Sequence, residues 1–221
     1  MIGSKQKEHI EMSKLEEYIK RYEGLHTGKD AYYQKDTLIP AGSNKIELFS
    51  GVQFSAKFPK YIRARALQKR CALTVLDYGC GLGHAPWRAT AELPNGVWGM
   101  LRDKVKCFYL YDPAVPHFSQ PPPDGWLFDI VACADVMEHI PEEHVDEVLE
   151  NIKKYCQEDG YLLFSISGNP AFKKFIDGEN LHCTIQDSDW WSKKISSVCN
   201  RDFTLLHNGP NGTSIVSGSR Q

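Results

Sequence analysis

The sequence lacks any apolar run that approaches the roughly 20 residues needed to span a bilayer. Its N-terminus has a charged, helical pattern rather than that of a signal peptide, so we expect a cytoplasmic protein with no membrane partner. The sequence also lacks a large excess of charge of either sign, because its 26 basic and 28 acidic residues leave a net charge of −2. This balance produces no overall field that would attract nucleic acid.

Paired cysteines are missing as well. The seven cysteines form no Cys-x-x-Cys pattern, and several lie inside apolar strand patterns. This distribution favours reduced thiols and argues against both a disulfide framework and a zinc site. The 221 residues suffice for one α/β domain with a full core and an appended helical segment.

A glycine-rich stretch at residues 72–85 is the most informative part of the chain. An apolar, β-branched run ends in Asp77 and then turns through Gly79, Gly81 and Gly83. A buried parallel strand presents a ligand-binding loop at its carboxyl end in this way. Because glycine has no Cβ, the backbone of such a loop can lie against a ligand.

The spacing of these glycines separates two kinds of nucleotide cofactor. A dinucleotide-binding loop has the pattern Gly-x-Gly-x-x-Gly, and here His84 stands where its third glycine is needed. The stretch Asp-x-Gly-x-Gly-x-Gly instead resembles motif I of the class I S-adenosylmethionine-dependent methyltransferases. This resemblance implies S-adenosyl-L-methionine as the cofactor. The loop residues that it assigns to cofactor binding are Asp77, Tyr78, Gly79, Cys80, Gly81 and Gly83.

A second buried strand, at residues 107–111, ends in Asp112 and Pro113. An acid at this point matches the two hydroxyl groups of a ribose with its two carboxylate oxygens, so Asp112 and the adjacent Pro113 are predicted to contact the cofactor. The prolines and Gly125 that follow leave no room for a regular helix before the next strand. We therefore expect a reduced second crossover, with a stub of a third strand around residues 117–119.

The strand that begins at Phe128 is followed by Asp-Val-Met-Glu-His-Ile, starting at Asp135. This run resembles motif IV of small-molecule and RNA-wobble-type class I methyltransferases. The resemblance implies that Asp135 borders the methionine end of the cofactor and that Glu138 and His139 lie beside the acceptor pocket. A purely structural hydrogen-bonded pair of Glu138 and His139 is an equally good interpretation.

His182 follows the next strand and its closing Gly-Asn-Pro turn, so it should emerge beside the same crevice. Imidazole titrates near neutrality, and either His139 or His182 is therefore a candidate general base. The nearby Trp190 and Trp191 are expected either to form a wall of the acceptor pocket or to anchor the core.

The order of these elements predicts an α/β fold: a Rossmann-like class I methyltransferase sandwich with a mostly parallel sheet. The end of the chain, from Phe203 through Ser214, has the pattern of an antiparallel hairpin. We expect residues 1–56 to form an N-terminal helix, over 7–22, and a loop-rich lid. Residues 57–221 should form the cofactor-binding domain, which begins with a basic helix over 57–70 and has a crossover helix after the glycine loop.

The predicted function is methyl transfer to an oxygen or nitrogen atom of a small-molecule, glycan or nucleotide-like acceptor. The tight second crossover and the His-x-Thr stretch at His182 are similar to small methyltransferase-domain proteins of bacteria and tailed bacteriophages. The sequence has no Asn-Pro-Pro-Tyr-type tetrapeptide for base N-methylation and no Pro-Cys loop for cytosine C5 chemistry. RNA stays open as an acceptor because the helix at 57–70 is basic.

Two other classes of function stay open. A catalytically silent protein with this fold would bind the cofactor without turnover, and an NAD(P)-dependent oxidoreductase is disfavoured by His84. No metal site is predicted, because Asp112 and Asp135 alone do not form the carboxylate cluster of cation-dependent catechol-type chemistry.

Overall fold

The structure is a computed structural model that describes residues 12–43, 58–83, 101, 103–209 and 212–217. Short 3₁₀ turns occur at Met137–His139 and Glu142–His144. The helices and strands, in chain order, are α1 (Lys14–His26), β1 (Tyr32–Gln34), β2 (Thr37–Ile39), α2 (Phe58–Lys69), β3 (Leu73–Tyr78), β4 (Val105–Tyr111), β5 (Phe128–Ala134), α3 (Val145–Lys154), β6 (Cys156–Ile166), β7 (Lys173–Phe175), α4 (Ser188–Cys199), β8 (Phe203–Gly209) and β9 (Gly212–Ser217).

The main sheet has the strand order β4-β3-β5-β6-β9-β8. Its first four strands pair in parallel, and β9 pairs antiparallel with both β6 and β8. Strands β3 and β5, the two inner strands of the parallel part, are buried along almost their whole length, as expected for parallel strands covered on both faces. The predicted Rossmann-like sheet with a C-terminal antiparallel hairpin is confirmed.

Helices cover both faces of this sheet. On one face, α2 packs through Phe58 and Ile62 against residues of β3 and β5. On the other face, α3 and α4 pack in a second core cluster that contains the fully buried Trp191. Of the two interpretations offered for the tryptophan pair, Trp191 therefore has the role of a core anchor.

The connection between β4 and β5 is reduced, as the prolines predicted, and residues 112–127 contain no helix. The prediction of a third-strand stub around residues 117–119 is wrong. The N–H of Phe118 donates to the carbonyl of Val115 (2.8 Å), and the carbonyl of Phe118 accepts from the N–H of Asp112 (3.0 Å). This turn folds the chain back onto the end of β4. A short strand at these residues would instead have extended away from β4.

The N-terminal residues pack on the later part of the chain. Helix α1 begins at a capping box, in which Ser13 and Glu16 satisfy each other's backbone N–H groups. Strand β1 pairs with β2 and also with β7, which comes from the second half of the chain. The predicted boundary at residue 56 and the predicted crossover helix after Gly83 lie outside the described residues. None of the described helices is long and apolar enough to cross a membrane.

A buried carboxylate joins α2 to the beginning of the central strands. Asp129 accepts hydrogen bonds from the N–H and the hydroxyl of Thr74 (2.8 and 2.9 Å) and pairs with Lys69 (2.8 Å). Burial alone would raise the pKa of Asp129, but the bonds from Lys69 and Thr74 outweigh burial and hold that pKa below its usual value. Asp129 therefore stabilises the fold in its charged form.

We expect Asp129→Asn to lower the free energy of unfolding by about 2 kcal/mol near neutral pH, since charged hydrogen bonds are lost. Because the folded-state pKa lies below the unfolded one, this contribution is present above about pH 4 and disappears as the pH falls further. Urea denaturation across this pH range measures the difference. Asp146→Asn, which removes an exposed pair with Lys194, is the control and should cost little. A penalty for Asp129→Asn that does not change with pH would contradict this account.

Candidate active site

The glycine loop lies at the carboxyl end of β3 and is tied to the end of β4. The N–H groups of Gly79 and Cys80 both donate to the carbonyl of Tyr111 (2.7 and 3.1 Å). Gly79 has a φ of +76°, and a Cβ at this position would lie 2.2 Å from Cγ2 of Val136. The loop thus passes so close to the end of β5 that only glycine fits at this position.

Asp112 holds the next part of this loop. Its Oδ2 accepts from the N–H of Gly81 (2.8 Å), and its Oδ1 accepts from the N–H of Ala114 (2.9 Å). The carboxylate is almost fully buried. Each of its oxygens can accept two hydrogen bonds and accepts one from the described residues, which leaves capacity for hydroxyl donors. Pro113, the other residue predicted here, is half-buried beside it.

The other residues predicted to bind the cofactor lie in or directly under the loop. Asp77, Tyr78 and Cys80 are all buried. The ring of Tyr78 packs edge-on against Tyr111, and burial raises the pKa of its hydroxyl well above the usual range. These buried side chains support the loop from below, so a bound ligand would contact the backbone of the loop.

Loop and carboxylate together fit the cofactor that the sequence resemblance implies. The Cβ direction of Gly81 is nearly open, with only Cε1 of His26 at 3.9 Å among the described atoms. The buried Asp112 carboxylate lies directly beside this position. An open backbone next to a buried acid suits a ribose with its attached methionine chain better than it suits a pyrophosphate.

Asp135 turns the chain at the carboxyl end of β5. It is one of the non-glycine residues with positive φ (+54°), a conformation that costs roughly 1–2 kcal/mol. Its N–H donates to the carbonyl of Ser165 (2.8 Å), and the hydroxyl of Ser165 donates to its Oδ1 (3.3 Å). The turn directs the following residues, Met137–His139, across the end of the sheet.

Glu138 is completely buried in this turn. Its Oε1 accepts from the N–H of Ser167 (2.9 Å), and its Oε2 has no hydrogen-bond partner among the described residues. Burial, together with the nearby charge of Asp135, raises the pKa of Glu138 well above its usual value. The backbone carbonyl of Glu138 accepts from the N–H groups of Cys183 and Thr184, which fixes the segment that carries His182.

His139 and His182 lie against each other, with ring centroids 4.7 Å apart. The Nδ1 of His139 contacts the carbonyl of Leu181 (3.0 Å) and the hydroxyl of Tyr22 (2.7 Å), and the Nδ1 of His182 contacts the carbonyl of Asn169 (2.5 Å). A carbonyl only accepts, so both Nδ1 atoms carry the proton and both Nε2 atoms keep a lone pair.

The electrostatic surroundings keep both rings neutral near physiological pH. Burial, reinforced by His182, lowers the pKa of His139 to about 3. Burial also lowers the pKa of His182, although its contact with Asn169 acts in the opposite direction. The structure therefore brings together the three residues that the sequence proposed as catalytic, in a cluster of neutral imidazoles and one buried carboxyl group.

Two residues of α1 belong to this region, and the sequence analysis assigned neither of them to the site. Tyr22 reaches His139, and its hydroxyl donates to the carbonyl of Leu181 (2.5 Å). His26 lies over Gly81, where burial lowers its pKa while the charge of Asp112 opposes that effect. The spacing of Tyr22 and His26 could have indicated that they belong together, because residues four apart lie on the same face of a helix. Helix α1 thus lies over the glycine loop at Gly81.

A cavity of about 340 Å³ opens beside the histidine cluster. His182 and Cys183 line its inner side, while Lys14 and Tyr18 of α1 line another. A space of this size beside polar, neutral rings suits a small polar molecule or one unit of a larger one.

Comparisons with known proteins agree with this architecture. The sequence profile of a family described as a methyltransferase domain matches residues 46–192. An O-methyltransferase family protein from Burkholderia thailandensis has a similar fold, with a TM-score of 0.53 and 11% identity over 77% of this chain and 57% of that one. No curated protein matches the sequence.

Two further solved structures share the fold. The S-adenosylmethionine-bound amino pentose methyltransferase of Micromonospora echinaspora has a TM-score of 0.50 and 12% identity, over 78% of this chain and 93% of its own. An S-adenosylmethionine-dependent methyltransferase from Clostridium acetobutylicum has a TM-score of 0.50 and 11% identity, over 75% and 92%. With the family match covering well over half of its length, the chain belongs to the methyltransferase-domain family and has the class I methyltransferase fold.

Proposed function

We propose that the enzyme transfers a methyl group to an oxygen or nitrogen atom of a small-molecule, glycan or nucleotide-like acceptor. The observation that carries this proposal is the cluster of Glu138, His139 and His182, in which His182 also lines the cavity. Such a cluster handles protons and hydrogen bonds, which an oxygen or nitrogen acceptor needs. The Burkholderia and Micromonospora proteins share only the fold at this identity, so they do not choose between the two atoms.

The cofactor supplies a methyl group that is already activated on a sulfonium sulfur. The chain then has to bind it, orient it and keep water out. We assign its ribose to Asp112 and its methionine chain to the glycine loop, with Asp135 at the reacting end. Tyr22 and His26 of α1 close the site from above.

The proton of the acceptor leaves toward the histidine cluster. Both Nε2 atoms keep a lone pair, and His182 lines the cavity from which the acceptor would approach. His182 is therefore the first candidate for the general base, with His139 and Glu138 holding it in position.

The experiment is a methylation screen with S-adenosylmethionine labelled in its methyl group. Acceptor panels of amino sugars, hydroxylated small molecules, nucleotides and short RNA separate the acceptor classes. For the acceptor that is labelled, we expect His182→Ala to lower kcat by about 100-fold, the usual effect of losing a general base. His144→Ala, which changes a histidine of the next turn paired with Glu147, is the matched control and should keep full activity.

Two results would contradict the proposal. Tight cofactor binding with no labelling of any panel would favour the catalytically silent binding protein. Equal kcat values for His182→Ala and His144→Ala would remove His182 from the chemistry.

A further inference from the structure

We propose that Glu138, His139 and His182 form a binding site for a divalent first-row transition-metal ion. Each of the three side chains offers one donor atom, and the three donor atoms all lie within 4.8 Å of one another. The proposal deepens the proposed function, and its catalytic part rests on that function. Binding of the ion itself does not depend on that function.

The two imidazoles are already oriented as metal ligands. In each ring the Nδ1–H is held by a backbone carbonyl, that of Leu181 for His139 and that of Asn169 for His182. This leaves the two Nε2 lone pairs as donors. Metal-binding histidines almost always have such a second hydrogen bond, which fixes the tautomer and strengthens the ligand.

The carboxyl group of Glu138 supplies an independent observation. Its side chain is completely buried, and its Oε2 has no hydrogen-bond partner in the part of the chain that the structure describes. An unpaired polar atom at such a position is costly, and native proteins rarely leave one without a ligand or an ion. A cation between this oxygen and the two imidazoles would satisfy it.

The donor set indicates the kind of ion. Two imidazoles and one carboxylate are the protein ligands of open zinc sites, which keep a fourth position for water or substrate. Imidazole also suits cobalt, nickel and iron, whereas Mg²⁺ and Ca²⁺ prefer oxygen ligands alone. Donors around a tetrahedral ion are about 3.4 Å apart, so the three side chains need to approach by on the order of 1 Å.

An ion here would prepare the acceptor. An oxygen or nitrogen atom of the acceptor that occupies the open position would lose its proton to water more readily, because the cation lowers its pKa. That atom would then form its bond to the methyl carbon as the carbon–sulfur bond breaks, and the electron pair of that bond would stay on the sulfur, which becomes an uncharged thioether. With an ion bound, His139 and His182 would act as ligands, and the ion would replace His182 in the role of general base that the proposed function gives it in the metal-free enzyme.

The sequence-based prediction of no metal site considered only carboxylates and cysteines. The ligands proposed here are mainly imidazoles, and they come from two segments joined through hydrogen bonds of Cys183 and Thr184 to Glu138. Neither segment alone has a metal-binding spacing.

The test uses the full chain without a histidine tag, stripped with a chelator and then titrated calorimetrically with Zn²⁺, Co²⁺, Mn²⁺ and Mg²⁺. We expect one equivalent of Zn²⁺ or Co²⁺ to bind at micromolar strength or tighter, with the visible absorption of tetrahedral Co²⁺ as a second readout. Glu138→Gln and His182→Ala should each weaken binding at least about 10-fold. His144→Ala should bind as the unchanged protein does.

Circular dichroism and thermal unfolding verify that each variant is folded, and Glu138→Gln keeps the size of the side chain that meets Ser167. The absence of a bound equivalent, or equal affinity in Glu138→Gln and His144→Ala, would overturn the metal site. Titration of the same metal-free protein with S-adenosylmethionine separates the two proposals. Cofactor binding without metal binding refutes only the ion, and metal binding without cofactor binding refutes only the proposed function.

Discussion

Asp112→Ala is expected to weaken S-adenosylmethionine binding by about 100-fold. The Asp112 carboxylate accepts from Gly81 and Ala114, and we assign the ribose hydroxyls to its remaining lone pairs. Hydrogen bonds to a charged group are worth about 1.5–3 kcal/mol each, and 1.4 kcal/mol corresponds to a factor of ten. Losing the ribose contacts and the support of the loop together therefore amounts to about two orders of magnitude.

Isothermal titration of the purified variant measures this effect. Asp124→Ala is the matched control, because Asp124 lies in the same connection between β4 and β5 but is 92% exposed and pairs only with Lys154 among the described residues. Thermal unfolding of both variants separates loss of binding from loss of fold. Equal cofactor affinities for Asp112→Ala and Asp124→Ala would remove Asp112 from the binding site.

Gly79→Ala is expected to lower the free energy of unfolding by about 2–5 kcal/mol. The new Cβ would lie 2.2 Å from Cγ2 and 3.0 Å from Cγ1 of Val136. Overpacking of this kind costs about 1–3 kcal/mol, and the φ of +76° adds about 1–2 kcal/mol for any residue other than glycine. The effect is large because the loop, β3 and the end of β5 meet at this one point.

Gly125→Ala separates the two contributions. Gly125 has a φ of +83°, and no described atom lies within 4 Å of its Cβ position, so this variant has the backbone strain without the collision. Chemical denaturation should give it a loss of only about 1 kcal/mol. The double variant Gly79→Ala, Val136→Ala should recover part of the loss at position 79. If Gly79→Ala were no worse than Gly125→Ala, the close approach to Val136 would not be rigid.

The features that the sequence predicted well are local in the chain. The glycine loop, Asp112 and Asp135 each follow directly on a run of apolar strand residues, and all parallel strands present their carboxyl ends at one edge. The C-terminal hairpin was equally predictable from the sequence, because its turn residues lie between two short strand patterns. Strand patterns and turn residues therefore determine most of the sheet and of the loops at its carboxyl edge.

The features that the sequence did not reveal depend on contacts between distant segments. The turn at Phe118 replaces a strand because its carbonyl caps the N–H of Asp112, which no local pattern encodes. Tyr22 and His26 reach the site only because α1 packs across the end of the sheet. The tautomers of His139 and His182 likewise depend on carbonyls of residues elsewhere in the chain, and no motif spacing reports them.

The most direct measurement is a calorimetric titration of the full chain with S-adenosylmethionine and, separately, with NAD and NADP. Mass spectrometry of the purified protein beforehand detects any ligand that it has retained. The account predicts one S-adenosylmethionine bound per chain at micromolar strength and no binding of either nicotinamide nucleotide. Binding of NAD or NADP without binding of S-adenosylmethionine would contradict it, because the glycine spacing and Asp112 would then serve a dinucleotide.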